Sequence, residues 1–310
     1  MDIPEFKPAF IERYGKLTDW EAFKVASLTY TRRALRVNTL KCSIATLKKR
    51  LAAKGWKLTP IPWNKEGFWV EHETGRRDIG NNIEHALGYF YVQEGSSMIP
   101  PIVLSPKPGD MVLDMCASPG SKASQIAQYL EGRGILVAND YKGDRIAALG
   151  INLQRTGVTN AVITLMQGRW FSGMQFDKIL VDAPCSGTGT ISKSLKTITI
   201  WNPNMIRRLA AVQKQLLQTA FDNLKPGGTI VYSTCSNEPE EDEGVISHLV
   251  KHNPPASIAE ISLPGLKSSP PVTGFEGKEF HPDVAKCLRI WPQDNGTEGF
   301  FVAKIVKKEE

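Results

Sequence analysis

Two of the five cysteines in this 310-residue chain lie where a thiol could take part in chemistry. Cys185 lies in the motif DAPCSGTGT at 182–190, and Cys235 lies in STCSNEPEEDE at 233–243. Each motif follows an apolar run typical of a buried strand, and open α/β sheets bind their ligands at the carboxyl ends of such strands. An isolated cysteine is usually a structural thiol, but two at equivalent positions, one of them near Asp182, indicate a reactive site.

Methylation of a pyrimidine ring carbon is a reaction that needs such a pair. Carbon 5 of cytosine is a poor nucleophile, so a thiolate must first add to carbon 6 and convert the ring into an enamine. A carboxylic acid such as Asp182 could protonate or hydrogen-bond ring nitrogen 3 and make that addition feasible. After methyl transfer the proton on carbon 5 must leave so that the thiol is expelled, and a second polar group could assist. Spacing alone does not show which of Cys185 and Cys235 attacks.

The pattern after residue 109 predicts the elements that position these residues. Strands alternate with amphipathic helices, as in a parallel, doubly wound α/β sheet. The last two predicted strands are joined by a short turn-rich link, so they should pair antiparallel. The predicted strands are 111–116, 135–140, 161–167, 176–184, 228–235, 287–292 and 300–306, and the predicted helices are marked by Ala123 to Leu130, Ile146 to Leu153 and Met205 to Ala220. Seven strands with a final antiparallel hairpin are typical of the Rossmann-like methyltransferases that use S-adenosylmethionine (SAM).

The first of these strands leads into a candidate cofactor site, DMCASPGSK at 114–122. Small residues let a ligand approach the backbone, and amide groups at the start of the following helix can bind its carboxylate. The next strand ends at Asp140, about twenty residues further on, where a carboxylate can accept both hydroxyls of a ribose. The pair predicts a cofactor with a ribose, and on this pattern alone both a nicotinamide and a methyl donor fit.

The N-terminal part differs from the rest of the chain in charge. Eleven Lys and Arg residues, and no Asp or Glu, lie between Glu21 and Glu66. Since the net charge of the whole chain is +6, the net charge of the remaining residues is 6 − 11 = −5. We predict a helical arm and a small basic α+β module at about 30–75 that binds RNA, although a solvated helix face is the alternative. The aromatics expected to stack on bases are Tyr30, Trp56, Trp63, Phe68 and Trp69. A second acid-free stretch, 183–221, adjoins the Cys185 motif and favours phosphate contacts.

Together these motifs resemble the Sun-type (Fmu-like, Nop2/Sun) RNA cytosine-5 methyltransferases. The resemblance runs from RVNTLK at 36–41 through YVQEGSSMIP at 91–100 and the three site motifs to GFFVAKI at 299–305. It implies a SAM-dependent enzyme that forms 5-methylcytosine in RNA, with tRNA the expected substrate. The predicted domains are an N-terminal arm and RNA-binding module at 1–85 and a catalytic domain at 86–310.

The resemblance also implies a role for each site residue. Cys235 corresponds to the nucleophile, Cys185 to the residue that assists product release, Asp182 to the cytosine contact, and Lys122 to a lysine that orients Asp182 or the cofactor. The SAM contacts it implies are Cys116, Ala117, Ser118, Pro119, Gly120, Ser121, Lys122, Asp140, Arg145 and Asp182. Cytosine-5 DNA methyltransferases instead attack from the Pro-Cys motif, and on that analogy Cys185 would be the nucleophile.

The chain departs from this family at two places. Many relatives have an acid near the end of the third strand, in contact with adenine, where this chain has Gln167 and Gly168. Many also have a histidine after the Arg-x-x-Pro of the penultimate strand, where this chain has Gln293.

Other features of the sequence set limits on the function. The cysteines occur singly and the five histidines lack metal-ligand spacing, so neither a disulfide framework nor a metal site is expected. No apolar run approaches the roughly 18 residues of a membrane helix, and we expect a cytoplasmic monomer. We interpret the acidic run 238–243 as a helix N-terminus that complements the helix dipole.

Two other functions remain open. One is an exocyclic amino methyltransferase, because Asp182-Ala-Pro-Cys resembles the Asp-Pro-Pro-aromatic element. The other is a non-catalytic RNA-binding scaffold.

Overall fold

The computed structural model describes residues 4–309, and its N-terminal part contains a four-stranded antiparallel sheet. The strands are β1 (Ala34–Val37), β2 (Trp56–Ile61), β3 (Asn64–His72) and β4 (Phe90–Val92), in the spatial order β2-β3-β1-β4. The first four helices are α1 (Pro8–Gly15), α2 (Trp20–Leu28), α3 (Ile44–Ala52) and α4 (Ile83–Ala86). The α+β module predicted at about 30–75 is confirmed by β1, α3, β2 and β3, and β4 lies beyond it. β1 ends at Val37, and the next side chain, Asn38, donates to the carbonyls of Gly88 and Thr156.

Four of the five aromatics predicted to stack on RNA bases are buried instead: Trp56 and Phe68 lie in the core of this small sheet, whereas Trp63 and Trp69 pack in the core shared with the large sheet. The exposed fractions of Trp56, Trp63, Phe68 and Trp69 are 3%, 6%, 4% and 5%, whereas Tyr30 is 76% exposed. A module of this size has few apolar residues with which to fill a core, so its large side chains are used for packing. The stacking prediction is therefore wrong for these four residues.

The predicted N-terminal arm is helical, and its aromatic face packs on the C-terminal half of the chain. Phe10 stacks on Tyr14 with ring centroids 4.1 Å apart and meets the edge of Trp201 at 5.0 Å. Phe23 meets Trp291 edge to face, with ring centroids 6.0 Å apart. The arm thus covers a surface that belongs to the large sheet.

The large sheet has the order predicted for a SAM-dependent methyltransferase. Its first five strands, β5 (Met111–Asp114), β6 (Ile135–Asp140), β7 (Ala161–Leu165), β8 (Phe176–Asp182) and β9 (Leu224–Thr234), are parallel. They are followed by β10 (Ala256–Ala259), a short hairpin of β11 (Gly274–Phe275) and β12 (Lys278–Glu279), then β13 (Leu288–Ile290) and β14 (Phe300–Lys307). The spatial order is β10-β14-β9-β8-β5-β6-β7, and β14 runs antiparallel to both neighbours.

One strand of the prediction needs correction. The strand predicted at 287–292 is the three-residue β13, which pairs with the start of β14 outside the main path of the sheet. The antiparallel pairing of these two strands is confirmed, but the edge position belongs to β10, which was not predicted. β10 has only four residues and follows two prolines, so its sequence carries little strand signal.

Helices cover both faces of the large sheet. One layer is formed by α5 (Ile99–Leu104), α6 (Ser121–Leu130) and α7 (Gly143–Thr156), and the other mainly by α9 (Pro203–Asp222) and α10 (Glu243–His252); the remaining helices are α8 (Lys196–Ile200) and α11 (Pro292–Asn295). Successive residues of β8 alternate between the two cores, with Ile179 in one and Leu180 in the other. Because β5, β6, β8 and β9 are parallel, their carboxyl ends meet at one edge, which holds the candidate site. None of the helices within 4–309 has the length and apolar character needed to cross a membrane.

Candidate active site

The two cysteine motifs meet because of the register between β8 and β9. These strands pair in parallel with Asp182 opposite Ser233. After this last pair both chains leave the β8–β9 ladder at the same edge of the sheet. Cys185 lies three residues after Asp182, and Cys235 lies two residues after Ser233. The two sulfur atoms lie 3.3 Å apart, within hydrogen-bonding distance for thiols. The structure thus brings the two candidate nucleophiles into one site.

Hydrogen bonds between the two loops hold this arrangement. The hydroxyls of Ser186 and Ser236 lie 3.1 Å apart, and the Gly189 amide donates to the Cys235 carbonyl at 3.0 Å. A Cβ atom at Gly189 would lie 2.2 Å from the Gly299 carbonyl oxygen, so this close approach requires glycine. Gln213 of α9 is fully buried and donates to the Pro184 carbonyl at 2.9 Å. Sequence analysis missed Gln213, because a polar residue on a helix carries no local sign that it supports a distant loop.

Asp182 and Lys122 lie beside the two thiols. The Lys122 ammonium donates to Asp182 Oδ2 at 2.8 Å, and the Ser233 hydroxyl donates to Oδ1 at 2.8 Å. Asp182, Lys122 and Cys235 line one cleft of about 410 Å³. The other lining residues are Tyr91, Val92, Gln93, Glu94, Ser97, Pro119, Ser121, Ala183, Thr190, Lys193, Glu298 and Phe300.

The electrostatics favour different protonation states for these groups. The hydrogen bond with Cys235, together with burial, raises the pKa of the Cys185 thiol well above its ordinary value. Burial alone would lower the pKa of Lys122, but the adjacent Asp182 carboxylate outweighs it and the pKa is raised. Cys185 is therefore a neutral thiol that can donate to the sulfur of Cys235, and Lys122 keeps a positive charge near that sulfur. The Cys235 sulfur thus lies next to a thiol donor and near an ammonium group.

The residues predicted to hold the cofactor lie together at the ends of β5 and β6. Ser118 donates its backbone amide to Asp140 Oδ2 at 3.2 Å. Arg145 lies 3.3 Å from the same oxygen and donates to the Ser118 carbonyl at 3.0 Å. Gly120 ends the loop with φ of 103° and directly precedes α6, whose first residues are Ser121 and Lys122. The loop therefore presents backbone amides beside a buried carboxylate, as a ribose-containing ligand requires.

Asp114 is a site residue that the sequence analysis missed. It is 1% exposed, at the end of β5, and both carboxylate oxygens lack a hydrogen-bond partner among residues 4–309. Burial, reinforced by the charge of Asp182, raises the pKa of Asp114 to about 8. The sulfonium and ammonium groups of SAM are cationic, so they would complement this unpartnered acid, and the site fits the cofactor. Asp114 opens the motif DMCASPGSK, which was the available signal.

The residues at the departure, Gln167 and Gly168, do not place an acid in this site. A Cβ atom at Gly168 would lie 2.7 Å from Met115 and 2.9 Å from Leu216, so a larger residue there would require these two side chains to shift. Gln167 instead accepts a hydrogen bond from Arg169 at 2.8 Å.

Two acids that line the cleft, Glu94 and Glu298, were also missed; Lys193, their cationic neighbour, belongs to the acid-free stretch predicted to contact phosphate. Glu298 is 4% exposed and forms an ion pair with Lys193 at 2.6 Å. Glu94 accepts a hydrogen bond from the Glu298 amide at 3.3 Å. Burial and the nearby charge of Glu94 raise the pKa of Glu298 to about 7. Glu94 lies in the motif YVQEGSSMIP and Glu298 directly precedes GFFVAKI, so both were near recognised motifs.

The acidic run 238–243 has a different role from the one predicted. α10 begins only at Glu243, so the other acids lie outside its first turn. Glu238 and Asp242 are fully buried: Arg13 of α1 binds Glu238 at 2.8 Å, and Arg289 of β13 binds Asp242 at 3.0 Å and Glu243 at 2.5 Å. The interpretation as a dipole-complementing helix start is therefore wrong for most of the run. These acids anchor the loop that carries Cys235 to α1 and β13.

Replacing Arg289 with methionine should lower the free energy of unfolding by about 3–5 kcal/mol, because it leaves two buried carboxylates without a cation. Burial alone would lower the pKa of Arg289, but the charges of Glu243 and Asp242 outweigh it and raise the pKa. Denaturant unfolding of the variant would measure the loss. A matched control is Arg133→Met, which removes an exposed ion pair with Glu131 and should cost at most about 1 kcal/mol. Equal losses in the two variants would contradict the structural role of Arg289.

Three buried carboxyls should make the protein less stable as the pH rises from 5 to 8. The pKa of Asp114 is raised to about 8, and burial raises those of Glu241 and Glu298 to about 7. Between the ordinary carboxyl pKa and these values the folded state binds more protons than the unfolded state. The free energy of unfolding therefore falls as the pH rises, by up to about 1.4 kcal/mol per pH unit for each of these carboxyl groups. Thermal unfolding of the wild type and of Asp114→Asn would test this. The variant should show a weaker pH dependence, and an unchanged dependence would contradict the buried charge assigned to Asp114.

The residues described, 4–309, contain no group of three or more His, Cys, Asp or Glu side chains placed to hold a metal ion.

Two family models together match most of this chain. The family model for the 16S rRNA methyltransferase RsmB/F matches residues 101–306, and that for the N-terminal domain of 16S rRNA methyltransferase RsmF matches residues 6–95. The crystal structure of a methyltransferase homolog from Pyrococcus horikoshii is 34% identical, with a TM-score of 0.84 and coverage of 97% of this chain and 99% of that one.

Two curated relatives have stated substrates. The tRNA (cytosine(49)-C(5))-methyltransferase of Pyrococcus abyssi is 44% identical over 309 residues, which cover 99% of this chain and 98% of the relative. Ribosomal RNA small subunit methyltransferase F of Vibrio campbellii is 40% identical over 98% of this chain but only 63% of its own length. The protein belongs to the RsmB/F family of SAM-dependent RNA cytosine-5 methyltransferases, the Sun-type family that its motifs predicted.

Proposed function

We propose that this enzyme methylates carbon 5 of a cytosine in tRNA by transient covalent catalysis. The observation that carries the proposal is the distance of 3.3 Å between the sulfurs of Cys185 and Cys235, in a site that also contains Asp182 and Lys122. A ring-carbon methyltransferase needs one thiol to attack and a second group to help release the product. The choice of tRNA is supported by the 44% identity with a tRNA enzyme over almost the whole of both chains.

The roles follow from the contacts in the cleft. The Cys235 thiolate would form a bond to carbon 6 of the cytosine. Asp182, held by Lys122 and Ser233, would deliver a proton to ring nitrogen 3 and so neutralise the negative charge that attack places on the ring. SAM, when bound between the 116–122 loop, Asp114 and Asp140, supplies the methyl group. The proton on carbon 5 would then pass to water, and the electron pair that it leaves would restore the double bond to carbon 6 and break the bond to Cys235. Cys185, as a neutral thiol 3.3 Å from the Cys235 sulfur, would donate a hydrogen bond to the departing thiolate.

The target base has to leave its stack to reach this cleft, because both faces of a stacked ring are covered. Lys193, on the acid-free stretch beside the Cys185 loop, is 57% exposed at the mouth of the cleft. We propose that it contacts a phosphate near the target nucleotide. A monomeric state, a cytoplasmic location and a domain boundary near residue 85 remain predictions from the sequence.

Product analysis tests the proposed function directly. A tRNA transcript is incubated with the enzyme and isotope-labelled SAM, digested to nucleosides and analysed by mass spectrometry. The expected product is 5-methylcytidine, with no transfer to a transcript in which uridine replaces the target cytosine. Label in N4-methylcytidine would instead support the exocyclic amino reaction. RNA binding without SAM binding or any methylated product would support the scaffold, and efficient methylation of ribosomal RNA but not tRNA would refute the assigned substrate.

A further inference from the structure

A second cleft, built only from the N-terminal module, has no part in the proposed chemistry. It has a volume of about 480 Å³ and lies between the segment that follows α2 and the end of the β2–β3 hairpin. None of its lining residues belongs to the catalytic cleft. The lining residues are Tyr30, Thr31, Arg32, Arg33, Trp56, Val70, Glu71, His72, Gly75, Arg76 and Arg77.

Four arginines give this cleft, hereafter the arginine cleft, an excess of positive charge. Arg32 lies 3.8 Å from Glu71, and Arg76 binds Asp78 at 2.9 Å. Arg33 and Arg77 are exposed, and neither takes part in an ion pair with any residue from 4 to 309. Four arginines less two acids leave two positive charges, and guanidinium groups without an internal partner can form bidentate contacts with phosphate.

The arginine cleft also has an aromatic surface that packing does not explain. Tyr30 is 76% exposed, and the guanidinium of Arg77 lies 5.2 Å from its ring centroid. The wall behind it is rigid, because Trp56 is 3% exposed and meets His72 edge to face at 4.7 Å. An exposed ring in a cleft lined by cationic side chains is a surface on which proteins stack unpaired bases.

We propose that the arginine cleft binds a nucleotide of the substrate RNA outside the target-base site. Its base stacks on Tyr30, and its phosphates contact Arg33 and Arg77. This inference rests on the proposed function as far as the ligand is RNA, and it adds a site separate from the one that performs chemistry. An acidic peptide could satisfy the arginines but would leave Tyr30 without a partner, so the aromatic surface favours RNA. The cleft would increase affinity for a long substrate and leave the chemical step unchanged.

The test compares full-length tRNA with a short oligonucleotide that carries the target cytosine, using fluorescence anisotropy for binding and labelled SAM for turnover. For full-length tRNA, the double variant Arg33→Gln/Arg77→Gln should raise Kd and KM by about 10- to 100-fold with kcat unchanged, and reduce the salt slope of binding by about two. Tyr30→Ala should raise Kd by about 5- to 100-fold and leave the salt slope unchanged. Neither variant should alter turnover of the short oligonucleotide.

A control with the same loss of charge is Arg133→Gln/Lys286→Gln, since both residues are exposed and lie outside both clefts. An unchanged Kd in the arginine variant, or a loss equal to that of this control, would overturn the proposal. So would an equal loss for the short oligonucleotide, or a change in Kd from the arginine variant with none from Tyr30→Ala. Because binding is measured without turnover, failure to find methylated RNA would count against the proposed function and not against this cleft.

Discussion

Replacing Cys235 with alanine should abolish both the covalent enzyme–RNA adduct and methyl transfer, with turnover lower by roughly 10⁴-fold or more. Without the sulfur, the ring is never converted to an enamine, so carbon 5 remains a poor nucleophile. No neighbouring group replaces the lost thiolate. The loss is measured as 5-methylcytidine formed per enzyme on the tRNA transcript. Cys42→Ala is a suitable control, because Cys42 lies in the small module and lines neither the catalytic nor the arginine cleft.

The physical reason for choosing Cys235 is its place in the cleft, which Cys185 does not line. The hydrogen bond with Cys235, together with burial, also raises the pKa of the Cys185 thiol, which disfavours attack by Cys185. Cys235 lines the cleft with Lys122 and Asp182. Retained turnover in Cys235→Ala would contradict this assignment and favour attack by Cys185, as in the analogy with DNA methyltransferases.

Replacing Cys185 with alanine should have the opposite effect on the adduct. Cys235 can still attack and receive help from Asp182, but without the Cys185 thiol to hydrogen-bond the departing sulfur, the expulsion of Cys235 from carbon 6 slows. Turnover should fall by about 100-fold or more, the ordinary size of a general acid or base effect. The enzyme should then accumulate on RNA as a slowly migrating band on a denaturing gel.

The double variant Cys185→Ala/Cys235→Ala provides the control, because without Cys235 no band should form. If Cys185→Ala releases product at the wild-type rate, Cys185 has no role in release. If the adduct forms in Cys235→Ala but not in Cys185→Ala, the two roles are reversed. Both single variants therefore have to be examined together.

Much of the catalytic site could be predicted from local sequence. Asp182, Cys185 and Cys235 follow apolar runs, and parallel strands bring their carboxyl ends to one edge of a sheet. The 114–122 loop could be recognised because small residues before a helix have a direct physical use. The prediction was weaker where a residue acts through burial: Asp114 was quoted in a motif but not assigned, because sequence does not show that both its oxygens lack partners.

The acidic run 238–243 shows the same limit. Consecutive acids before a helix indicate a favourable dipole interaction, but their actual partners, Arg13 and Arg289, lie more than 200 residues before and more than 40 residues after them in the chain. The aromatics of the small module show it too, since only Tyr30 is exposed. The residue type determines which interactions a side chain can make, whereas burial determines which of those interactions are available to it in the folded protein.

By itself, the sequence indicated the α/β class through its short-range pattern and two thiols that could bond to cytosine through their chemistry, and the resemblance of its motifs indicated the family and the cofactor. Only the tertiary structure decided that the two thiols lie within hydrogen-bonding distance, that Arg289 holds the Cys235 loop, and that Arg33 and Arg77 line one cleft with Tyr30. These facts depend on strand register and on packing between segments far apart in the chain. Pairing of that kind is set by the free energy of the whole core, which no local motif encodes.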